Sequence, residues 1–506
     1  MTLEDYVKKI LNSRVYEAAR ETPLEFAKNL SHRLDNEIWI KREDLQPVFS
    51  FKIRGAYNRM ALLSDEERER GVICASAGNH AQGVAYAAHQ LKTRAVIVMP
   101  KTTPDIKVQA VRSHGGKYVK VVLHGDAFDE ASEHSRKLMD EQGLTYIHPY
   151  DDPDTIAGQG TIAREILHQH NQPLDAIFVC VGGGGLAAGI AAYIKYLRPE
   201  IKVIGVEFEE SACLAAAMVA GKPVKLEQVG IFADGAAVAQ VGAEAWKVCQ
   251  HHIDEVITVT ADEICAAVKD MFDDTRSIAE PAGALALAGM KKYVERDSTT
   301  GETYVAICSG ANMNFDRLAF VSEQAELGEK REAILAVTIP ERPGAFREFC
   351  STVGKRPVTE FNYRYDDDQA ANIFVGIKVE DAAEKEALIE ALRQVDYKVL
   401  DLSENEIAKT HIRHMVGGKS HHAADEVLYR FEFPERPGAL MNFLRTLGGR
   451  WNISLFHYRN HGDAYGRVLC AFQVPEAQRD EFGDKLEQVG YTYWAESDNP
   501  VYRMFL

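Results

Sequence analysis

Short apolar runs alternate with longer amphipathic or alanine-rich stretches over the first 310 residues of the chain. Short runs rich in β-branched residues are typical of buried strands, and the stretches between them have the period of helices. Strands are predicted at Ile38–Lys41, Val72–Ala75, Arg94–Met99, Lys117–Val122, Ala176–Val181, Lys202–Glu207 and Tyr304–Cys308. Helices are predicted at Asn79–Leu91, Lys107–His114, Phe128–Gln142, Leu186–Leu197 and Ala261–Asp273. This alternation predicts an α/β fold in which parallel sheets carry helices on both faces.

One segment, Ala176–Ile194, has 19 residues without a charge and is therefore long enough to be a membrane-span candidate. Four consecutive glycines interrupt it, and each costs a helix about 1 kcal/mol relative to alanine. We therefore predict a buried strand, a glycine loop and a helix at this place.

The pattern changes after residue 320, where the charged segment Ser322–Glu332 is interpreted as a linker or neck helix. An internal repeat follows. Pro-Glu-Arg-Pro-Gly-Ala occurs at 340–345 and again at 434–439, and Phe-Asn-Tyr-Arg at 361–364 returns as Phe-His-Tyr-Arg at 456–459. Two motifs that return at nearly the same offset indicate a duplicated domain.

Each copy begins with an alternating strand, such as Leu335, Val337 and Ile339, which is expected to be half-buried. A helix stripe follows at i, i+3, i+4 and i+7: Phe346, Phe349, Cys350 and Val353, then Leu440, Phe443, Leu444 and Leu447. Two strands, a helix (Glu384–Gln394 in the first copy) and a last strand complete a ferredoxin-like βαββαβ unit. The predicted domains are 1–321, a linker at 322–332, and the two repeats at 333–405 and 427–498.

Composition places the 506-residue chain among ordinary globular proteins, with 46% hydrophobic and 26% charged residues. Its net charge is −17 and it has no basic block, which argues against nucleic acid and anionic membranes as partners. Eight cysteines are scattered singly, and the first residues contain Glu4 and Asp5 where a signal peptide would be basic. We expect reduced thiols and a cytoplasmic protein. No metal site is predicted, because the histidine pairs, His411 with His414 and His421 with His422, lack acidic or cysteine partners.

Lys52 is the candidate nucleophile, because it lies between Phe51 and Ile53 in the stretch Ser-Phe-Lys-Ile-Arg-Gly-Ala. An ammonium group among apolar neighbours has a lowered pKa, which makes the neutral amine available to attack a carbonyl. An isolated lysine is more often a surface residue, so the functional interpretation depends on the other motifs.

The glycine run Gly182, Gly183, Gly184, Gly185 with Leu186 follows a predicted strand and opens a helix. Such a loop lets the backbone approach an anion, and the helix N-terminus offers unpaired N–H groups to a phosphate. The run could equally belong to a dinucleotide site or be a packing turn, although it lacks the spaced G-x-G-x-x-G pattern. Glu207, which ends the next strand, resembles the ribose-binding acid of such sites.

Two further motifs lie at strand ends. Ser76 and Asn79, in Ser-Ala-Gly-Asn-His, stand where a helix begins and are either helix caps or ligands of a substrate carboxylate. Ser309, in Ser-Gly-Ala-Asn, directly follows the strand Tyr304–Cys308 and is otherwise part of a tight turn.

These four motifs occur in the order and at the spacing of the fold-type II pyridoxal-phosphate enzymes, and the chain most closely resembles the threonine dehydratase family. The C-terminal repeats resemble the paired ACT-like regulatory domains of the biosynthetic, isoleucine-pathway members. The resemblance covers essentially the whole chain. It implies a lyase that converts L-threonine, and also L-serine, with pyridoxal 5'-phosphate as cofactor. The product of L-threonine would be 2-oxobutanoate, with release of ammonia, and isoleucine and valine are implied as effectors of a cytoplasmic homotetramer.

The resemblance also implies residue roles. Lys52 would bind the cofactor as a Schiff base and then carry the α-proton, and Ser76 with its neighbours would hold the substrate carboxylate. Asn79 would bind the ring oxygen, Gly182 to Leu186 the phosphate, and Ser309 the pyridine nitrogen. A serine at that nitrogen, where other enzymes have a carboxylate, favours elimination over racemisation.

Alternative functions remain at this stage. Another fold-type II enzyme, a serine racemase or a threonine synthase, shares the motifs, although a racemase needs no end-product control. A nicotinamide-dependent oxidoreductase would use the glycine loop but would leave Lys52 and Ser309 without a role. A catalytically inactive amino-acid sensor would not need Lys52, Asn79 and Ser309 together.

The effector sites are predicted from the repeat. In each copy the Pro-Gly turn begins a helix whose N–H groups can bind a carboxylate. The second strand carries Phe-x-Tyr-Arg, in which Tyr363 and Tyr458 join an apolar ring to a polar tip. We expect them to line two related but unequal pockets for branched-chain amino acids, unless they merely pack between sheet and helix.

Overall fold

The structure, a computed structural model, describes residues 1–328, 332–340, 345–354, 356, 358–363, 370–412, 425–434, 439–447, 450–459 and 465–505. The chain divides into two compact units, Met1–Phe315 and Asp316–Leu506. The division lies a few residues before the predicted limit at 321, and the finer domain limits stay predictions.

The first unit contains ten strands. They are β1 (Leu24–Phe26), β2 (Glu37–Arg42), β3 (Val72–Ala75), β4 (Ala95–Met99), β5 (Val119–Leu123), β6 (Thr145–Tyr146), β7 (Ala176–Cys180), β8 (Lys202–Phe208), β9 (Glu255–Val259) and β10 (Thr303–Cys308). A six-stranded sheet has the order β1-β2-β10-β7-β8-β9, and a four-stranded sheet has the order β5-β4-β3-β6. All pairings are parallel except that of β1 with β2. The predicted parallel α/β architecture is confirmed.

The helices of this unit are α1 (Leu3–Leu11), α2 (Lys28–Leu34), α3 (Lys52–Ala61), α4 (Asp65–Arg70), α5 (Asn79–Leu91), α6 (Asp105–Gly115), α7 (Phe128–Gln142), α8 (Pro153–Gln169), α9 (Gly185–Leu197), α10 (Cys213–Ala220), α11 (Ala243–His252), α12 (Ala261–Thr275) and α13 (Pro281–Asp297). All seven predicted strands and five predicted helices are present with ends shifted by two residues at most. The segment Ala176–Ile194 is a buried strand, a glycine loop and a helix, as predicted. No helix in the described part of the chain is long and apolar enough to cross a membrane.

The second unit contains α14 (Arg317–Gly328), β11 (Glu332–Pro340), α15 (Ala345–Val353), β12 (Val358–Tyr363), β13 (Ala370–Lys378), α16 (Ala382–Gln394), β14 (Lys398–Asp401) and α17 (Glu406–Thr410). The second repeat contains β15 (Glu426–Pro434), α18 (Ala439–Leu447), β16 (Asn452–Arg459), β17 (Tyr465–Gln473), α19 (Arg479–Val489), β18 (Thr492–Ala495) and α20 (Pro500–Phe505). The two antiparallel sheets have the equivalent orders β12-β13-β11-β14 and β16-β17-β15-β18. The predicted pair of βαββαβ units is confirmed.

The expectation that the first strand of each repeat is half-buried is wrong for β11. Leu335 and Val337 face the core beneath α15 and α16, whereas Ile334 and Ala336 lie in a second core shared by both repeats. That shared core includes Leu428 and residues of α17 and α20. Both faces of β11 are apolar because the two repeats pack on one another.

Candidate active site

Lys52 is the first residue of α3, and the loop before it is joined to the segment that follows β10. The N–H of Phe51 donates to the carbonyl oxygen of Ser309 at 3.1 Å, and the N–H of Ala311 donates to that of Phe49 at 2.9 Å. Phe49 has a φ of 55°, which is rare for a bulky residue and is found mainly where surrounding contacts enforce it. These two bonds place Lys52 beside Ser309, although the residues are far apart in sequence.

The amine of Lys52 is buried, and Nζ donates to the carbonyl oxygen of Pro149 at 3.1 Å. It also lies 5.2 Å from the centre of the Phe51 ring. Burial lowers the pKa of Lys52 to about 8, while interactions with Cys180 and Glu280 partly oppose that shift. The apolar setting that the sequence indicates therefore has the predicted effect on the pKa.

Lys52 lines a cavity. The lining residues are Phe51, Lys52, Asn79, Tyr150, Cys180, Gly182, Gly183, Gly184, Gly185, Leu186, Gly235, Ala236, Val238, Glu280, Ala282 and Ser309. Every predicted cofactor-binding residue belongs to this set. The individual roles of these residues in binding a cofactor stay predictions.

The glycine loop needs its glycines for two reasons. Gly184 has a φ of 88°, in the left-handed region that side chains rarely adopt. A Cβ at Gly183 would lie 2.3 Å from the ring of Tyr150. Helix α9 begins at Gly185, so its first N–H groups have no acceptor within the helix and lie at one end of the cavity. This loop is suited to bind a phosphate.

Asn79 is the first residue of α5, and its amide makes two hydrogen bonds within the site. Nδ2 donates to Oε1 of Glu280 at 2.5 Å, and Oδ1 accepts from Nδ2 of Asn312 at 2.6 Å. Ser309 is buried, and its hydroxyl donates to the carbonyl oxygen of Ala282 at 3.2 Å. The three segments that contain Asn79, Glu280 and Asn312 therefore meet at this amide.

Ser76, predicted to bind substrate, lies at the start of α5 but is not among the residues that line the cavity. Its Oγ accepts from the N–H groups of Gly78, which is the N-cap of α5, and of Ala81 in the first turn, both at 3.3 Å. His80, in the same motif, is structural: its Nε2 contacts the carbonyl oxygen of Ile147 at 2.8 Å. Burial lowers the pKa of His80 to about 3, so its ring is neutral.

Glu207 does not serve as a ribose-binding acid in this structure. It is fully buried, and its carboxylate accepts from the N–H groups of Leu214 and Ala215, both at 2.8 Å, at the start of α10. Burial raises the pKa of Glu207 to about 7. The carboxylate of Glu207 already accepts hydrogen bonds from the N-terminus of α10. It therefore does not support the interpretation of the glycine loop as a dinucleotide site.

A buried network of charges holds the helix that carries Lys52. Arg54, two residues further along α3, donates to both carboxylate oxygens of Glu43 and to both of Glu165. Lys41 also donates to Glu165 at 2.6 Å, and all four side chains are almost fully buried. The carboxylates hold the pKa of Arg54 above its usual range despite burial. The network links α3 to β2 and α8.

The sequence analysis missed seven residues that line the cavity: Tyr150, Cys180, Gly235, Ala236, Val238, Glu280 and Ala282. Pro153 and Pro281 each stand at the first position of a helix, a signal that could have located α8 and α13 and the residues before them. The Pro-Gly turns at 343–344 and 437–438 and the side chains of Tyr363 and Tyr458 lie outside the described residues. The effector sites therefore stay predictions.

The residues present fit pyridoxal phosphate. The cavity offers a buried amine for a carbonyl carbon, a glycine loop at a helix N-terminus for a phosphate, and an amide and a hydroxyl for the polar atoms of a ring. The glycine cradle is closed to side chains, because a Cβ at Gly183 would overlap Tyr150.

Comparison with known proteins covers the whole chain. Residues 15–310 match the family described as pyridoxal-phosphate dependent enzyme, and residues 323–412 and 417–506 match the C-terminal regulatory domain of threonine dehydratase. The L-threonine dehydratase biosynthetic IlvA of Burkholderia multivorans (strain ATCC 17616 / 249) is 56% identical over 506 residues, 100% of both chains. That of Escherichia coli (strain K12) is 54% identical over 99% of this chain and 97% of its own.

Solved structures match a little under two thirds of the chain. The processed form of threonine deaminase isoform 2 from Solanum lycopersicum is 51% identical, with a TM-score of 0.62 over 64% of this chain and 93% of its own. The T.th. threonine deaminase is 34% identical, with a TM-score of 0.57 over 62% and 99%. The serine racemase from Dictyostelium discoideum is 31% identical, with a TM-score of 0.57 over 62% and 99%. The catalytic fold is thus shared by dehydratases and racemases.

Proposed function

Since the chain belongs to the family of pyridoxal-phosphate-dependent enzymes and carries the regulatory domains of threonine dehydratase, we propose that it converts L-threonine to 2-oxobutanoate and ammonia. The reaction is redox-neutral: the β-hydroxyl leaves as water, and a second water releases the amino group as ammonia. Full-length relatives named for this substrate support the proposal. L-Serine carries the same β-hydroxyl and is proposed as a second substrate. The product suits the first step of isoleucine biosynthesis.

Each group of residues at the cavity has its own proposed role in this reaction. Pyridoxal phosphate, when bound, supplies an electron-accepting ring that stabilises negative charge at the α-carbon of the substrate. Lys52 would hold the cofactor covalently and, as a free amine, would take the α-proton of the substrate, a role for which a pKa of about 8 is suited. The N–H groups of residues 182–186 would bind the phosphate, and Asn79 would donate to the ring oxygen. Ser76 and the N–H groups at the start of α5 hold the substrate carboxylate.

Ser309 decides between reaction types in this proposal. Its neutral hydroxyl would lie at the pyridine nitrogen, would leave that nitrogen largely unprotonated and would make the ring a weaker electron acceptor. Early departure of the β-hydroxyl is then favoured over reprotonation of the α-carbon, so elimination predominates over racemisation.

The observation that carries the proposal is the buried amine of Lys52, with its pKa of about 8, on the same cavity as the glycine loop, Asn79 and Ser309. The test is to incubate the purified protein with L-threonine and to measure 2-oxobutanoate. Its visible absorption band is also recorded before and after borohydride reduction. We expect product, and a reduced cofactor attached to the Lys52 peptide. Formation of D-allothreonine, the product of inversion at the α-carbon alone, without 2-oxobutanoate would instead favour the racemase.

We further propose that isoleucine inhibits the enzyme by binding to the C-terminal repeats, and that valine binds a second, unequal site. The duplicated βαββαβ units and the match to a regulatory domain support this. An effector acts only through its differential affinity for two conformations, so loss of a pocket contact should change inhibition and spare the uninhibited kcat. Tyr363→Ala and Tyr458→Ala, titrated with isoleucine at fixed threonine, test the pockets. Wild-type inhibition curves in both variants would place the pockets elsewhere.

A homotetramer in the cytoplasm is proposed from the family resemblance. The seven described cysteines are all free thiols, in agreement with a reducing compartment. Sedimentation equilibrium of the holoenzyme measures the assembly, and a mass of one or two chains would contradict the proposal.

A further inference from the structure

We propose that Glu280 and Asn312 are positioning residues, which hold the amide of Asn79 in the one orientation that presents an N–H group to the cavity. The inference rests on the proposed function only for the identity of the ligand. It assigns a task to two residues that lie 201 and 233 positions away from Asn79 in the sequence.

The contacts form a chain of three hydrogen bonds. Nδ2 of Asn312 donates to the backbone carbonyl oxygen of Val48 at 2.9 Å and to Oδ1 of Asn79 at 2.6 Å. Nδ2 of Asn79 then donates to Oε1 of Glu280 at 2.5 Å. Asn79 and Glu280 are 8% and 3% exposed, so water has little access to replace these partners.

The chemistry of the two ends of this chain determines the orientation of the amide between them. A backbone carbonyl can only accept, so the atom of Asn312 that faces Val48 is its nitrogen. That nitrogen also contacts Asn79, whose facing atom must therefore be oxygen. An ionised carboxylate can only accept, so Glu280 independently requires the nitrogen of Asn79 on its side. Both ends select the same orientation.

Glu280 is itself fixed by the loop after β10. Its backbone N–H donates to the carbonyl oxygen of Gly310 at 3.1 Å, at the start of α13. Oε1 lies only 2.5 Å from where a Cβ of Gly310 would stand, so the carboxylate occupies space that a side chain would fill. The carboxylate therefore has a defined place relative to Asn79.

The consequence concerns the second N–H of Asn79, for which no described residue provides an acceptor. Asn79 lines the cavity together with Lys52 and Ser309. Pyridoxal phosphate has a phenolic oxygen beside the carbon that its carbonyl group occupies, and an N–H donor stabilises that oxygen as an anion. A flipped amide would present a carbonyl oxygen and would repel it. Glu280 and Asn312 thus act on the cofactor through Asn79.

The test compares two uncharged replacements of similar size, Glu280→Gln and Glu280→Met. Glutamine keeps an acceptor oxygen for Asn79, whereas methionine does not. In the holoenzyme of Glu280→Met we expect the visible absorption band to lose intensity to a near-ultraviolet band at fixed pH. We also expect cofactor binding to the apoenzyme to weaken about tenfold or more, as for loss of a charge-assisted hydrogen bond. Glu280→Gln should stay within about threefold of wild type, since its hydrogen bond to Asn79 remains.

The same pair is then measured in an Asn79→Ala background. If Glu280 acts through Asn79, the difference between glutamine and methionine should vanish there. A difference that persists, or equal spectra and affinities of the two single variants, would overturn the proposal.

Asn312→Asp provides a second route that avoids any folding defect of Glu280→Met. Aspartate cannot donate to Asn79, so the same loss of visible absorption is expected, and a wild-type spectrum would contradict the inference. If the wild-type chain bound no pyridoxal phosphate at all, the proposed function would fail first, and the two failures are therefore distinguishable.

Discussion

At the scale of single residues, the environment of Lys52 decides its chemistry. The residue type supplies an amine whose ordinary pKa is near 10.5, and burial lowers that value to about 8. A neutral amine is then available near physiological pH, which is what attack on a carbonyl requires. The nearby Glu280 limits the shift, because its negative charge favours the ammonium form.

The first prediction concerns the rate at which apoenzyme binds pyridoxal phosphate covalently. Below pH 8 the amine is protonated, so the rate should fall about tenfold per pH unit, and above pH 8 it should level off. Stopped-flow absorbance of apoenzyme mixed with cofactor measures it, with Lys52→Ala, which has no amine, as the control without a covalent phase. A rate that still rises tenfold per unit above pH 9 would show an unshifted lysine.

The second prediction concerns Ser309. Ser309→Asp should hold a proton on the pyridine nitrogen, strengthen the ring as an electron acceptor, and lower the dehydration rate while exchange of the α-proton increases. Deuterium in threonine recovered from heavy water, divided by 2-oxobutanoate formed, measures the ratio. Ser309→Ala is the matched control, because it removes the hydroxyl without adding charge. An unchanged ratio in Ser309→Asp would remove this account of the residue.

At the scale of elements, α3 depends on the buried network of Arg54, Glu43, Glu165 and Lys41. Buried charges are tolerated only when they are paired and hydrogen-bonded, and Arg54 provides that pairing for two carboxylates. The arrangement adds little stability compared with an apolar core, but it attaches the first turn of α3, and therefore Lys52, to β2 and α8.

The third prediction is that Arg54→Met lowers the free energy of unfolding of the apoenzyme by about 3–5 kcal/mol, because buried Glu43 loses its ion-pair partner and buried Glu165 keeps only Lys41. Urea denaturation measures it. Lys8→Ala, at the exposed pair of Lys8 with Glu4, is the control and should change stability by less than about 1 kcal/mol. Equal effects in both variants would mean that the network is not a structural requirement.

The pH dependence of the free energy of unfolding should also change sign in Arg54→Met. In the wild type the pKa of Glu43 is lowered by Arg54, so its contribution exists above the unfolded pKa and disappears on acidification through the folded pKa. In Arg54→Met the buried carboxylate of Glu43 loses the cation that offsets its burial and is easier to protonate when folded, so stability should rise as the pH falls toward the ordinary range of a carboxyl group.

At the scale of the whole molecule, catalytic and regulatory parts are separate units of the chain. The cavity residues all lie within Met1–Phe315, and the duplicated βαββαβ domains lie within Asp316–Leu506. The T.th. threonine deaminase structure aligns over 99% of its own length with 62% of this chain.

The fourth prediction is that a chain truncated after Ser322 retains threonine dehydration but loses inhibition by isoleucine. The physical reason is that no effector site remains to shift the conformational equilibrium. Initial rates with and without isoleucine measure it, and full-length enzyme is the control. Isoleucine inhibition of a truncated enzyme that is soluble and holds cofactor would place the effector site in the first unit.

The sequence alone determined what depends on neighbours along the chain. Alternation and helical period predicted the parallel strands, and the glycine run predicted the turn between β7 and α9, because only glycine adopts the φ of 88° at Gly184 without strain. The internal repeat predicted that both regulatory domains have the same fold, because the same pattern of apolar residues buries the same faces of strands and helices in each copy. The apolar neighbours of Lys52 predicted the direction of its pKa shift.

Only the tertiary structure decided what depends on distant segments. Tyr150, Glu280 and Asn312 reach the site from separate loops, and no local pattern carries information about a contact such as Asn79 with Glu280, 201 residues apart. The same holds for the second buried face of β11, which exists because the other repeat covers it. The hydrogen bonds of Glu207 with the N–H groups of α10 are likewise tertiary contacts that the pattern around Glu207 does not indicate. Local periodicity records which residues are buried, whereas the partner that buries them is selected by the packing of the whole chain.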